Sequence, residues 1–169
     1  MKHFPALLLA AFATSAFADT PLRQPEKLTV CSSTKNLCAF SDPTSDTTVV
    51  SPADGSTWVI PGWHRWLFVS DDRESVVVGY NGMNLVPVDV TLKEPVLFFY
   101  NRGTLVRTVT LGDLYKNKSQ LRRTVSHYAW AHVVGLNKSN QLVVELVNGK
   151  KVAFAANTGA EQPPDPHGT

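Results

Sequence analysis

Residues 61–70 read PGWHRWLFVS and set Trp63, His64, Arg65 and Trp66 in succession ahead of an apolar run. An indole beside a guanidinium suits the anchoring of a partner or the stacking of a sugar face, and an imidazole suits proton transfer. A second concentration of the same types, RRTVSHYAWAHVV, holds Arg122, Arg123, His127, Tyr128, Trp130 and His132. In a strand, alternate residues face opposite sides. His64, Trp66 and Phe68 would then share one face, and Trp63, Arg65, Leu67 and Val69 the other. From Trp66 onward both faces are apolar, as in a central strand, so Trp66 is expected inside, with Trp63 near the strand's mouth and Arg65 able to stack on it.

The same alternation puts Tyr128, Trp130 and His132 on one face and His127 on the other. The two histidines are five apart, not the three or four of a helical metal pair, and no acidic motif supports them, so no metal site is expected. Ser126 adjoins His127, but neighbours in a strand point apart, and no G-x-S-x-G elbow occurs. Asp71 and Asp72 read as turn formers, Asp113 as a helix cap, and Glu145 as solvent-facing between Val144 and Leu146. No catalytic residue and no cofactor is assigned. The loop GYNGMNLVP could offer backbone donors, but it lacks the basic residue and following helix of a phosphate loop and reads as a turn.

Something must position these clusters, and the pattern is that of an all-β chain. Short apolar segments separated by turn signals predict strands at 28–31, 38–41, 47–51, 57–60, 66–70, 75–80, 85–90, 95–100, 105–111, 130–136, 142–147 and 152–156. Hairpins are predicted through Ser70 to Glu74, through Asn101-Arg102-Gly103, and through Asn148-Gly149, the last as a type I′ turn. Only the stretch around Asp113, Leu114 and Tyr115 reads as helix, with Leu121 as a further anchor. Cys31 and Cys38, separated by turn formers and flanked by strand-like residues, are expected to close a hairpin as a disulfide stabilising by roughly 2–3 kcal/mol at most.

The first eighteen residues, MKHFPALLLAAFATSAFA, have the basic start, apolar stretch and small-residue cleavage site of a secretory signal. No segment approaches the length of a membrane-spanning helix. The expected product is a soluble periplasmic or secreted chain with a single β domain over 19–158 and a flexible tail over 159–169. Residues 20–27 are likewise expected to be mobile. With 16 Lys and Arg against 14 Asp and Glu, the balance argues against a nucleic-acid binder. Asn117-Lys118-Ser119 and Asn137-Lys138-Ser139 match the glycosylation triplet, which matters only where the modifying machinery exists.

LFVSDDRESVVVGY and VVGLNKSNQLVVEL align at an offset of 66, each preceded by one of the aromatic and histidine clusters. With the hairpin LFFYNRGTLVRTVTLGDL between them, the stretch from about Thr57 to Thr158 resembles blades of β-propellers. A closed propeller needs at least about four blades of roughly 40 residues, more than this chain holds. The resemblance therefore implies an antiparallel meander, partial-propeller-like, or a small sandwich. Through RTVSHYAW and GYNGMNL the chain also resembles a group of exported bacterial proteins, a likeness that assigns no residue a role. If the repeat places both clusters on one face, Trp63, His64, Arg65, His127, Tyr128 and Trp130 form a contact surface with Arg122 and Arg123 at its rim. The function expected is a non-enzymatic binding module for a protein or cell-envelope glycan, of inhibitor or immunity type. The alternative is a cell-envelope hydrolase with His64 or His127 as base and Asp71, Asp89 or Glu145 as partner.

Overall fold

A computed structural model describes residues 22–165. The signal-peptide reading, which concerns residues 1–18, lies outside them. In chain order the strands are β1 (Leu28–Cys31), β2 (Leu37–Asp42), β3 (Thr47–Pro52), β4 (Trp58–Pro61), β5 (Leu67–Val69), β6 (Ser75–Gly79), β7 (Leu85–Pro87), β8 (Pro95–Asn101) and β9 (Thr104–Thr110). They continue as β10 (Arg122–Arg123), β11 (His127–Ala129), β12 (Ala131–Leu136), β13 (Gln141–Leu146), β14 (Lys151–Ala155) and β15 (Glu161–Gln162), with two helical turns among the described residues, α1 (Leu111–Leu114) and a 3-10 turn at Lys118–Gln120. Every pairing is antiparallel.

Three four-stranded meanders, β1-β2-β3-β4, β5-β6-β8-β9 and β12-β13-β14-β15, form the body, and β7, β10 and β11 make a small separate sheet. The middle meander is buried on both faces. Val76 and Val78 pack with Leu37, Ala39, Val50 and Ile60 of the first meander, whereas Val77, Leu97 and Phe99 pack with Val133, Leu142, Val144 and Phe154 of the third. All five residues of β6 are buried. That explains the unbroken valine run where a half-solvated strand would alternate.

The sequence shows two copies of a repeat, but the structure has three. In each meander the first hairpin closes through one equivalent bond, Ser32 N–H to Leu37 O, Ser70 N–H to Ser75 O and Asn137 N–H to Gln141 O, at 2.8, 3.0 and 3.0 Å. The last loop residue of each then accepts from the turn that follows the third strand: Asn36 from Ala53, Glu74 from Arg102 and Asn140 from Ala156, at 2.9, 2.8 and 2.9 Å. The paired positions Ala39–Val50, Val77–Phe99 and Val143–Ala153 correspond, as do Phe40–Val49, Val78–Phe98 and Val144–Val152. In the first copy cysteines and small polar residues stand where the others carry valine and leucine, so hydropathy hides the match.

The twelve predicted strands are present, with ends shifted by a few residues, and β10, β11 and β15 are additional. β11 and β10 are too short for a period-2 signal. Within the stretch 159–169, read from the sequence as a flexible tail, Glu161 and Gln162 form β15 and pair with Phe154 and Ala153. Residues 22–27 are also engaged with the body, through Lys27–Asp42 at 2.8 Å and the contacts described below. Asp113 is not the helix cap. Thr110 is, and Asp113 completes a capping box by accepting from the Thr110 N–H and hydroxyl at 2.7 and 2.8 Å.

The two hairpin tips exchange roles. Gly149 has φ of 82°, but Asn148 is not left-handed, and Leu146 bonds to Lys150, so this loop is the three-residue form with glycine in the αL position. The type I′ geometry belongs instead to Arg102-Gly103, both of positive φ, at 47° and 78°. Arg102 is held there by its N–H to Glu74 O and by the ion pair of its guanidinium with the Glu74 carboxylate. Cys31 and Cys38 form the disulfide between β1 and β2.

Candidate functional site

Trp63, His64 and Arg65 lie in the connection from β4 to β5, where Gly62 has φ of 92° and turns the chain. The first two are fixed by their backbones: Trp63 N–H donates to Asp46 Oδ1 at 2.9 Å, and His64 N–H donates to Ser41 Oγ at 2.7 Å. Asn81 completes the frame, accepting from Arg65 N–H at 3.3 Å and donating to Trp63 O at 3.4 Å. The Arg65 guanidinium stands 5.1 Å from the centre of the Trp63 ring. The stacking expected from the sequence is thus present.

Both side chains reach the N-terminal segment. Trp63 Nε1 donates to Glu26 O at 2.9 Å, and Arg65 Nη2 donates to Arg23 O at 2.8 Å. Arg65 Nε is buried without a hydrogen-bond partner. Between the segment and the stack lies a cavity of about 360 Å³, walled by Leu22, Arg23, Gln24 and Leu28 on one side and Trp63, Arg65 and Met83 on the other. Sequence reasoning missed residues 22–28 and Met83 as parts of the site, because nothing in an unpatterned N-terminal stretch says where it docks.

His64 takes a different role from its neighbours. Its Nε2 is 2.9 Å from Pro61 O, and burial pushes its pKa below the ordinary 6.5, against the opposing effects of that carbonyl and of Asp46. The carboxylate near it is Asp46, not Asp71, Asp89 or Glu145. Asp71 is engaged with Ser33 and Thr34 of the disulfide hairpin, Asp89 is exposed in the loop after β7, and Glu145 sits opposite His132 in the β12–β13 ladder. Among the described residues no three His, Cys, Asp or Glu side chains are placed to hold a metal ion.

The second cluster divides. Tyr128, half-buried on β11, has Arg123 at 5.2 Å and Lys118 at 5.3 Å from its ring centre, and Lys118 Nζ also donates to Val88 O. Arg122 and Arg123 are exposed on β10, and the ring Nδ1 of His127 is 2.8 Å from Ser126 Oγ. Trp130, however, is 0% exposed and belongs to the core, which corrects its assignment to a contact surface. The expected alternation fails there because the strand breaks between β11 and β12. Trp130 N–H leaves the ladder for Asn84 O at 3.1 Å and its Nε1 donates to Met83 O at 2.8 Å. Trp130 and Ala131 are buried in succession, and His132 points outward.

The loop 80–84 therefore presents carbonyl acceptors inward to Trp130, not donors to a ligand. Together with β7, which follows it, the loop joins the two clusters. Asn81 holds the Trp63–Arg65 stack, Met83 holds Trp130, and Val86 pairs with Tyr128. Beneath it Trp66 and Trp130 meet edge to face, 6.3 Å between ring centres. The repeat thus brings the clusters together through half-buried Trp66 and buried Trp130 and leaves outside them two cation–aromatic stacks, Arg65 on Trp63 and Arg123 with Lys118 on Tyr128. No protein-family model matches this chain, and neither a curated protein nor a solved structure matches it.

Proposed function

We propose that this protein is an exported, non-enzymatic binding module that takes hold of an extended polypeptide of a partner at the Trp63–Arg65 stack. One observation carries the reading: Trp63 Nε1 and Arg65 Nη2 both donate to main-chain carbonyls of the chain's own N-terminal segment, Glu26 O and Arg23 O, so the stack already holds one stretch of main chain, whose place a partner's extended chain would take, and an apolar-walled cavity opens beside it. Donors that meet backbone oxygens recognise a chain's path independently of its side chains, while the cavity adds selection for an apolar or anionic group beside Arg23 and Arg65. Tryptophan and arginine are also the residue types that contribute most at interface centres. The Cys31–Cys38 disulfide fits an oxidising compartment. Tyr128, with Arg122 and Arg123, supplies a second, outer contact. A hydrolase reading draws on less, since His64 is turned to a carbonyl.

The test is recovery of a partner from periplasmic extract by the purified chain. Trp63→Ala is expected to lower recovery at least ~10-fold, as removal of a central anchor does. Tyr128→Ala should have a smaller effect. Unchanged recovery by a folded Trp63→Ala protein overturns the proposal, and competition by soluble cell-wall glycan in place of peptide moves the reading to a sugar partner.

A further inference from the structure

The three stacked meanders end differently. In the second and third, the pairs Val78–Phe98 and Val144–Val152 pack against the meander that precedes them in the chain. Among the described residues the corresponding pair of the first meander, Phe40–Val49, has no preceding meander to meet, and Phe40 is 43% and its row neighbour Val59 52% exposed.

At the far end the situation is reversed. Val143–Ala153 occupies the positions that in Ala39–Val50 and Val77–Phe99 face the following meander, yet Ala153 is 0% exposed. The chain covers this end itself: the Gln141 side chain, 8% exposed, donates to Gln162 Oε1 and Pro163 O and accepts from Asp165 N–H. A stack of repeats needs a cap at both ends. Among the described residues this one carries a C-terminal cap and no N-terminal one.

We infer that the outer face of the first meander is covered by the same face of a second copy of this chain, in a two-fold dimer. Continuity with the internal stack is the first reason, since these positions already serve as packing faces twice within the chain. Charge is the second. The face's charged residues by register are Lys27 and Asp42, which pair with each other at 2.8 Å, so neither of two such faces brings a net charge to the contact. The tail laid over Gln141 at the C-terminal end is the third, because it obstructs the head-to-tail route and favours the self-paired one, which stops at two. This dimer is independent of the Trp63–Arg65 site.

Sedimentation equilibrium of the full mature chain, disulfide intact, tests it between about 1 and about 200 µM, the range in which a modest self-contact is populated. A monomer–dimer equilibrium is expected. Phe40→Asp should weaken it at least ~100-fold, the effect of a charge at an interface centre. Val59→Asp is the second variant, should the first fail to fold, and Val134→Asp on the opposite end should leave the dimer intact. A monomer throughout the range overturns the inference. So does open-ended growth lost equally with Val134→Asp, the mark of head-to-tail stacking, and so does a dimer indifferent to both Phe40→Asp and Val59→Asp.

Discussion

Asp71 accepts both the main-chain N–H and the hydroxyl of Thr34, at 2.9 and 2.8 Å, and so ties the hairpin tip of the second meander to that of the first. Ser33 Oγ adds a third bond, and the Asp71 N–H reaches Asn140 at the tip of the third meander, 3.2 Å away. One residue thus links all three tips.

The Ser33 and Thr34 donors hold the Asp71 carboxyl at about 2, against an ordinary 3.8. A depressed carboxyl stabilises the fold above its unfolded value, and that contribution disappears as pH falls between about 4 and about 2. Asp71→Asn should therefore lower stability at neutral pH and flatten the acid end of the stability curve. Urea unfolding across that range is the measurement. An unchanged slope in the variant would mean that the tip contact contributes nothing to folding.

His64 titrates in the opposite region. Burial lowers its folded pKa beneath 6.5, so the unfolded chain takes up a proton first and stability falls as pH drops below that value. Between about pH 7 and about pH 5 the unfolding midpoint should decline, and His64→Gln should remove part of the decline. A variant that tracks the wild type over this interval would show that the ring protonates without cost, and that its burial is not kept in solution.

Gly79 lies against Trp66, where an added Cβ would stand 2.6 Å from the indole. Trp66 in turn packs on Trp130, so it has little room to withdraw. Gly79→Ala should cost about 1–3 kcal/mol, the range for overpacking a filled core. Gly149→Ala, where no atom lies within 4 Å, isolates the cost of the left-handed backbone alone, about 1–2 kcal/mol. Thermal unfolding of the two variants separates the effects. Near-UV circular dichroism should change only for Gly79→Ala, and a signal unchanged there would contradict the close contact.

Local chemistry made much of this legible. The valine runs, the turn residues and the cysteine spacing report on each strand and hairpin by themselves, and β1 is found where it was read, at Leu28–Cys31. The stacking of Arg65 on Trp63 and the packing of Trp66, half-buried, against the core also follow from neighbouring residues and strand alternation. Trp130 escaped that logic because its backbone leaves the ladder for Asn84, a residue far back in the chain. The third repeat escaped because Cys38 and Ala39 hold positions whose hydropathy differs from Val76 and Val77, though their hydrogen bonds correspond.

By itself, then, the sequence determined the class of fold, the disulfide hairpin and the two aromatic clusters, since periodicity and turn propensity act over a few residues. Only the tertiary structure decided which cluster members are core and which are wall. It alone set residues 22–28 opposite Trp63 and left Phe40 without a covering layer among the described residues. Those outcomes depend on which distant segments meet, and contact between segments far apart in the chain is settled by the packing of the whole domain.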